Sequence, residues 1–183
     1  MTNQQAFDMI NLHETKRALI AIARRDDVDA LRAFIHANGI ASVLHYNDPD
    51  ELTILHYAAA SGSIRVVRFL LSEQVGADVN ETRRNRFAPL HAASMNGAAE
   101  TCALLLESGA WPNVQTVPQA YAPLHSAAWG GHIRAVEALL RGGALTDIKN
   151  YRGETPACTA RRQGHPSVAL RIETAAACGI GKE

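Results

Sequence analysis

An all-α solenoid of stacked helix pairs is predicted by three observations internal to the chain. First, Leu55-His56, Leu90-His91 and Leu124-His125 recur with their histidines 35 and 34 residues apart, and a further 33 residues reach Cys158. Second, a glycine stands six residues beyond each of these positions, at Gly62, Gly97, Gly131 and Gly164. Third, an apolar stretch at helical spacing follows the first three glycines: Val66, Val67, Phe69, Leu70, Leu71, then Cys102, Leu104, Leu105, Leu106, then Val136, Ala138, Leu139, Leu140. One such unit cannot bury its own apolar face, so neighbours must supply the core and at least about three units are needed.

Each unit reads in order as a short helix, a tight turn, a longer helix and an extended connection. Pro89, Pro123 and Pro156 stand at the first position of the short helix, where a missing N–H costs nothing. Gly76, Gly109 and Gly143 follow the longer helix, where a helix terminus commonly needs a residue tolerant of positive φ. Upstream, Ile22 to Asp26 leads to Val28, Leu31, Phe34, Ile35 and Gly39, the pattern of a degenerate first unit. The boundaries predicted are 14–49 for that unit, 50–82, 83–116 and 117–149 for full units, 150–174 for a capping unit and 175–183 for a tail, all in a single domain. In the capping unit Arg171 and Glu173 replace apolar residues, as expected where a stack meets water.

These residues resemble the ankyrin repeat, with its Thr-Pro-Leu-His stretch, two alanines, glycine, leucine pair and closing Gly-Ala-Asp-x-Asn. The chain supplies Thr53-Ile54-Leu55-His56 with Gly76-Ala77-Asp78-Val79-Asn80, Ala88-Pro89-Leu90-His91 with Gly109 to Asn113, and Ala122-Pro123-Leu124-His125 with Gly143 to Asp147. The resemblance implies an ankyrin-repeat solenoid of about four full repeats plus the degenerate one, with hairpin-like connecting fingers. It also implies a protein-binding role and no catalysis. Departures are informative. Ala88 and Ala122 replace the threonine that caps the short helix and, in the family, bonds the histidine ring, a loss of about 1 kcal/mol each. Ser72 to Val75 carries two extra residues, and the Asn113 to Pro123 connection carries one, insertions that loops absorb cheaply.

Composition narrows the function. Of 183 residues 47% are hydrophobic, enough for one buried domain, and 18 basic against 18 acidic residues give a formal net charge of zero. No global pull toward nucleic acid or anionic lipid follows, so nucleic acid is not the expected partner. Three cysteines, Cys102, Cys158 and Cys178, fit neither a disulfide framework nor a zinc site. No signal-like start or membrane-length apolar run is present. A cytoplasmic monomer is expected, with a nuclear location or secretion as an effector left open.

In the family, partners meet the finger tips and the end of each short helix. Four residues before each histidine or its equivalent stand Leu52, Phe87, Tyr121 and Glu154, and four after stand Ala60, Met95, Trp129 and Arg162. Phe87, Met95, Tyr121 and Trp129 therefore form a strip that the scaffold does not require to be apolar, as interface hot spots do. The residues expected to bind a partner are Arg84, Arg86, Phe87, Met95, Asn96, Tyr121, Trp129, Tyr151 and Arg162. The alternatives are a regulatory platform of an enzyme and an anionic ligand on the Arg83, Arg84 and Arg86 finger, arginine being suited to carboxylate or phosphate.

Catalytic, metal and cofactor sites are not expected. His56, His91 and His125 occur one per unit and are expected to hydrogen-bond the neighbouring finger. His132 and His165 fall in the turn after the glycine. Cys102 and Cys158 stand at positions expected to be buried, where thiols are inert. Gly130-Gly131 and Gly142-Gly143 lack the strand and lysine of a phosphate loop.

Overall fold

The computed structural model describes residues 17–44 and 52–180; residues 1–16, the end of the first unit with the first two residues of the next (45–51), and the last three residues of the tail lie outside the described residues. The fold is all-α. A helix covers 17–24 (α1), followed by α2 (Val28–Asn38), α3 (Ala41–Leu44), α4 (Ile54–Ser61), α5 (Ile64–Leu70), α6 (Pro89–Met95) and α7 (Ala99–Glu107). Then come α8 (Pro123–Trp129), α9 (Ile133–Arg141), α10 (Pro156–Arg162) and α11 (Pro166–Ala177), which runs on past residue 174.

Two layers result. The short helices α4, α6, α8 and α10 stack consecutively on one side, and α2, α5, α7, α9 and α11 stack on the other. Alanines make the inner layer tight. Ala58, Ala59, Ala93, Ala127, Ala128 and Ala160 are wholly buried, leaving room for backbones to approach. The outer helices bury larger side chains such as Val67, Leu105, Leu139 and Ile172. At roughly 1.5–3 kcal/mol per buried aliphatic side chain, this shared interior is the main stabilising term.

The turns follow the chemistry predicted. Pro89, Pro123 and Pro156 open their helices, and Gly76, Gly109 and Gly143 have φ of 70°, 89° and 84°. At Gly97 (φ 72°) and Gly131 (φ 72°) there is a second constraint: an added Cβ would fall 2.6 Å from the His132 ring and 2.6 Å from the His165 ring. Each turn histidine thus lies on the glycine of the preceding unit.

Units are also joined by polar contacts. Asn80 donates to the Gly109 carbonyl (2.9 Å) and accepts from the Trp111 N–H (2.8 Å). Asn113 repeats this with the Gly143 carbonyl (3.2 Å) and the Leu145 N–H (2.8 Å). Asp26 accepts from the Val66 N–H (2.8 Å), so the first unit satisfies an orphan donor in the opening turn of α5. The cap unit ends in ion pairs: Arg171 with Glu137 (3.2 Å) and Arg161 with Glu173 (2.6 Å).

Cys158, expected from the repeat register to be buried, is exposed, whereas Cys102 is buried. The reason is positional. Cys158 takes the place of the repeat histidine, a site that is covered in earlier units by the next finger, and no such finger follows α10 among the described residues.

Candidate partner-binding groove

The groove starts from three histidines. The Nδ1 of His91 accepts the Ala88 N–H (3.2 Å) and its Nε2–H donates to the Tyr121 carbonyl (2.9 Å). His125 does the same between Ala122 (3.3 Å) and Glu154 (3.0 Å), and His56 between Thr53 (3.2 Å) and Phe87 (3.1 Å). These partners set the neutral tautomer with the proton on Nε2. The histidine thereby satisfies the first backbone donor of its own helix with or without a threonine. What Ala88 and Ala122 forgo is the further contact that Thr53 Oγ1 makes with His56 Nδ1 (2.8 Å).

Burial pulls the His91 imidazole down from 6.5 to about 4 and also lowers that of His125, although the carbonyl that each faces pushes the other way. Both stay uncharged near neutrality. They are braces, aligning each finger over the helix of the unit before it.

That bracing seats the aromatic residues. Phe87 stacks on His91 (centroids 5.4 Å apart) and on His56 (6.1 Å), and Tyr121 meets the His125 ring edge-on (5.6 Å). Both are half-buried, so each serves the scaffold as well as the surface. Met95 and Trp129, at the ends of α6 and α8, are 45% and 51% exposed. Phe87, Met95, Tyr121 and Trp129 together line one hollow of about 390 Å³. With the Gln163 amide oxygen turned toward it, the Trp129 indole N–H donates across 2.9 Å.

The remaining predicted residues are spread around this hollow. Asn96 lines an adjoining hollow with Met95 and Phe87, its amide donating to the Ala92 carbonyl (3.0 Å). Tyr151 is exposed at the next finger, with the Arg152 guanidinium 5.2 Å over its ring. Arg162 pairs with Glu154 (3.1 Å) at the end of the strip. Arg84 and Arg86 lie in the finger turn, Arg86 exposed with φ 56°. Arg83 does not join them as a free cation: it pairs with Glu81 beside it. Its backbone is bridged to Phe87, which closes the finger.

Spacing from the histidines did not disclose Asn85, Thr116, Gln119 and Ser126, which complete the hollow. Thr116 and Gln119 sit in the connection lengthened by one residue. There Thr116 caps its own loop by accepting the Tyr121 N–H (3.1 Å). The fingers are laced together, Val117 N–H to the Asn85 carbonyl (2.7 Å) and Tyr151 N–H to the Gln119 carbonyl (3.1 Å).

The family described as ankyrin repeats (3 copies) matches residues 3–83, 72–150 and 90–172, and the chain belongs to it. Similar curated proteins include the E3 ubiquitin-protein ligase Ufd4 of Drosophila melanogaster, 34% identical over 57% of this chain and 4% of that protein. Diacylglycerol kinase zeta of Rattus norvegicus is 33% identical over 50% of this chain and 10% of its own length. Protein phosphatase 1 regulatory subunit 12A of Mus musculus is 31% identical over 59% of this chain and 11% of its own length. The chain thus spans a small part of each.

The ankyrin repeat is a non-catalytic scaffold fold that generally mediates protein–protein interactions. Among the described residues no group of three or more His, Cys, Asp or Glu is placed to hold a metal, and no helix is long and apolar enough to cross a membrane.

Proposed function

We propose that this chain holds a protein partner in the groove walled by Phe87, Met95, Tyr121 and Trp129, acting as adaptor, inhibitor or effector. One observation carries the reading: two large apolar side chains, Met95 and Trp129, stay about half exposed beside a hollow whose other walls are already braced by the scaffold. A half-exposed aromatic anchor such as Trp129 on a rigid frame loses little side-chain freedom on binding, and Met95 beside it adapts to the partner's shape. The chain acts as a monomer in the cytoplasm.

The test is affinity capture from native lysate with the wild type beside Trp129→Ala. The variant is expected to lose the captured protein while its melting temperature stays within about 3 °C, a change of less than about 1 kcal/mol. Retained capture by the variant would defeat the proposal.

A second reading, a regulatory platform in an enzyme assembly, is favoured by the similarity to stretches of a ligase, a kinase and a phosphatase regulatory subunit. The identity of the captured protein separates the two. Anion binding at the finger is the weaker alternative, because Arg83 is spent on Glu81.

A further inference from the structure

Three hollows run into one another along the inner face. The third is the one already described, ending at Trp129. The second shares Phe87 and Met95 with it and adds Leu52, Tyr57, Ala60 and Arg24. The first shares Arg24 and Tyr57 with the second and adds Arg17 and Arg25.

Charge is unevenly spread along this path. Arg17, Arg24 and Arg25 are exposed and form no ion pair among the described residues, and the Arg24 guanidinium lies 5.3 Å over the Tyr57 ring. At the opposite end Arg162 and Asn150 both engage the Glu154 carboxylate. The groove is therefore cationic at the Arg17, Arg24 and Arg25 end and apolar through its middle.

The backbone restricts the occupant further. Phe87 O accepts from His56 Nε2 and the Arg83 N–H, Tyr121 O from His91 Nε2 and the Thr116 N–H, and Glu154 O from His125 Nε2 and the Asn150 N–H. Two donors fill a carbonyl's lone pairs, so these three carbonyls offer an extended segment no free acceptor. This favours an occupant that satisfies its own backbone, as a helix does.

We propose that the groove takes an acidic amphipathic helix. The two apolar hollows share a wall and sit one unit apart, about 8–10 Å for packed helices. Apolar side chains at i and i+7, about 10 Å apart along one helix face, match that separation. Carboxylates toward one end of the helix lie against Arg17, Arg24 and Arg25. Such exposed charge pairs set specificity and approach more than affinity. This deepens the groove reading above and rests on it.

The test is selection from a phage-displayed library of random peptides of about 20 residues, long enough as a helix to cover about 30 Å, on the full chain. Enriched peptides are expected to be net acidic, with apolar residues at i and i+7. Their affinity is expected to fall about tenfold or more on Arg24→Glu. It is expected to weaken as salt rises, and to be lost on Trp129→Ala. Circular dichroism should show helix gained on binding. No enrichment, enrichment without acidic bias, or binding indifferent to Arg24→Glu overturns the acidic-helix proposal while leaving the groove reading standing. Peptides that bind Trp129→Ala as well as wild type overturn the groove reading itself.

Discussion

The Nε2–H of His91 donates to the carbonyl of Tyr121 at 2.9 Å, so a buried histidine of one unit holds in place an aromatic wall of the groove formed by the next. Scaffold and surface meet in that bond. His91→Ala leaves the Ala88 N–H without its side-chain partner and removes one donor from the Tyr121 carbonyl. At roughly 1–3 kcal/mol for each buried polar group left unsatisfied, the variant is expected to lose about 3 kcal/mol of stability by urea unfolding. A loss under about 1 kcal/mol would mean that the histidine is not a brace.

The same histidine makes stability depend on pH. Its pKa falls from 6.5 in the unfolded chain to about 4 in the folded one, because burial disfavours the charged ring. Between those values the unfolded state binds the extra proton. Its contribution is therefore fully present above about 6.5 and is lost as pH drops toward 4. The full depression corresponds to about 3 kcal/mol. His125, lowered for the same cause, adds in the same direction. Urea midpoints measured from pH 7 to pH 4 are expected to fall more steeply in wild type than in His91→Ala.

Gly97 is expected to resist even the smallest side chain. Its φ of 72° is unfavourable for an L residue, and a Cβ would press within 2.6 Å of the His132 ring. Gly97→Ala should cost about 1–3 kcal/mol, read as a lowered melting temperature. Combining it with His132→Ala should recover the steric part and leave the backbone part.

Thiol chemistry reports the stack directly. Burial pushes the Cys102 thiol up from 9.0 to about 11, while Cys158 and Cys178 are exposed. A maleimide at neutral pH is expected to label Cys158 and Cys178 in the folded protein and Cys102 only after denaturation, counted by mass spectrometry.

Much of the fold was legible in the sequence because periodicity is a property of the chain alone. The Leu-His register, the opening prolines and the closing glycines each report a local backbone demand. The strip was legible for the same reason: residues at one register position in successive units fall side by side, as Phe87, Met95, Tyr121 and Trp129 do around one hollow. Less legible was whatever depends on what one unit lays over another. The exposure of Cys158 and the Asp26 bond to Val66 depend on three-dimensional neighbours that spacing does not encode, and the pairing of Arg83 with Glu81, two residues away, depends on the turn of the finger. Arg24 has no legible place in the groove, because the degenerate first unit has no Leu-His anchor from which to count. Asn80 and Asn113 were visible as the close of each repeat. Their clamp on the next unit's backbone became apparent only from the distances.

The chain has two tryptophans, Trp111 and Trp129, so Trp111→Phe leaves the groove residue as the only tryptophan, whose emission is excited selectively at wavelengths that tyrosine does not absorb. Trp111 is 59% exposed, and its loss should leave the fold intact. Acrylamide quenching of Trp129 in this variant, with and without the captured partner, is the most direct test. Strong quenching that drops on complex formation, with a blue shift of the emission, is the result expected. Quenching unchanged by a bound partner would contradict the groove as the surface it grips.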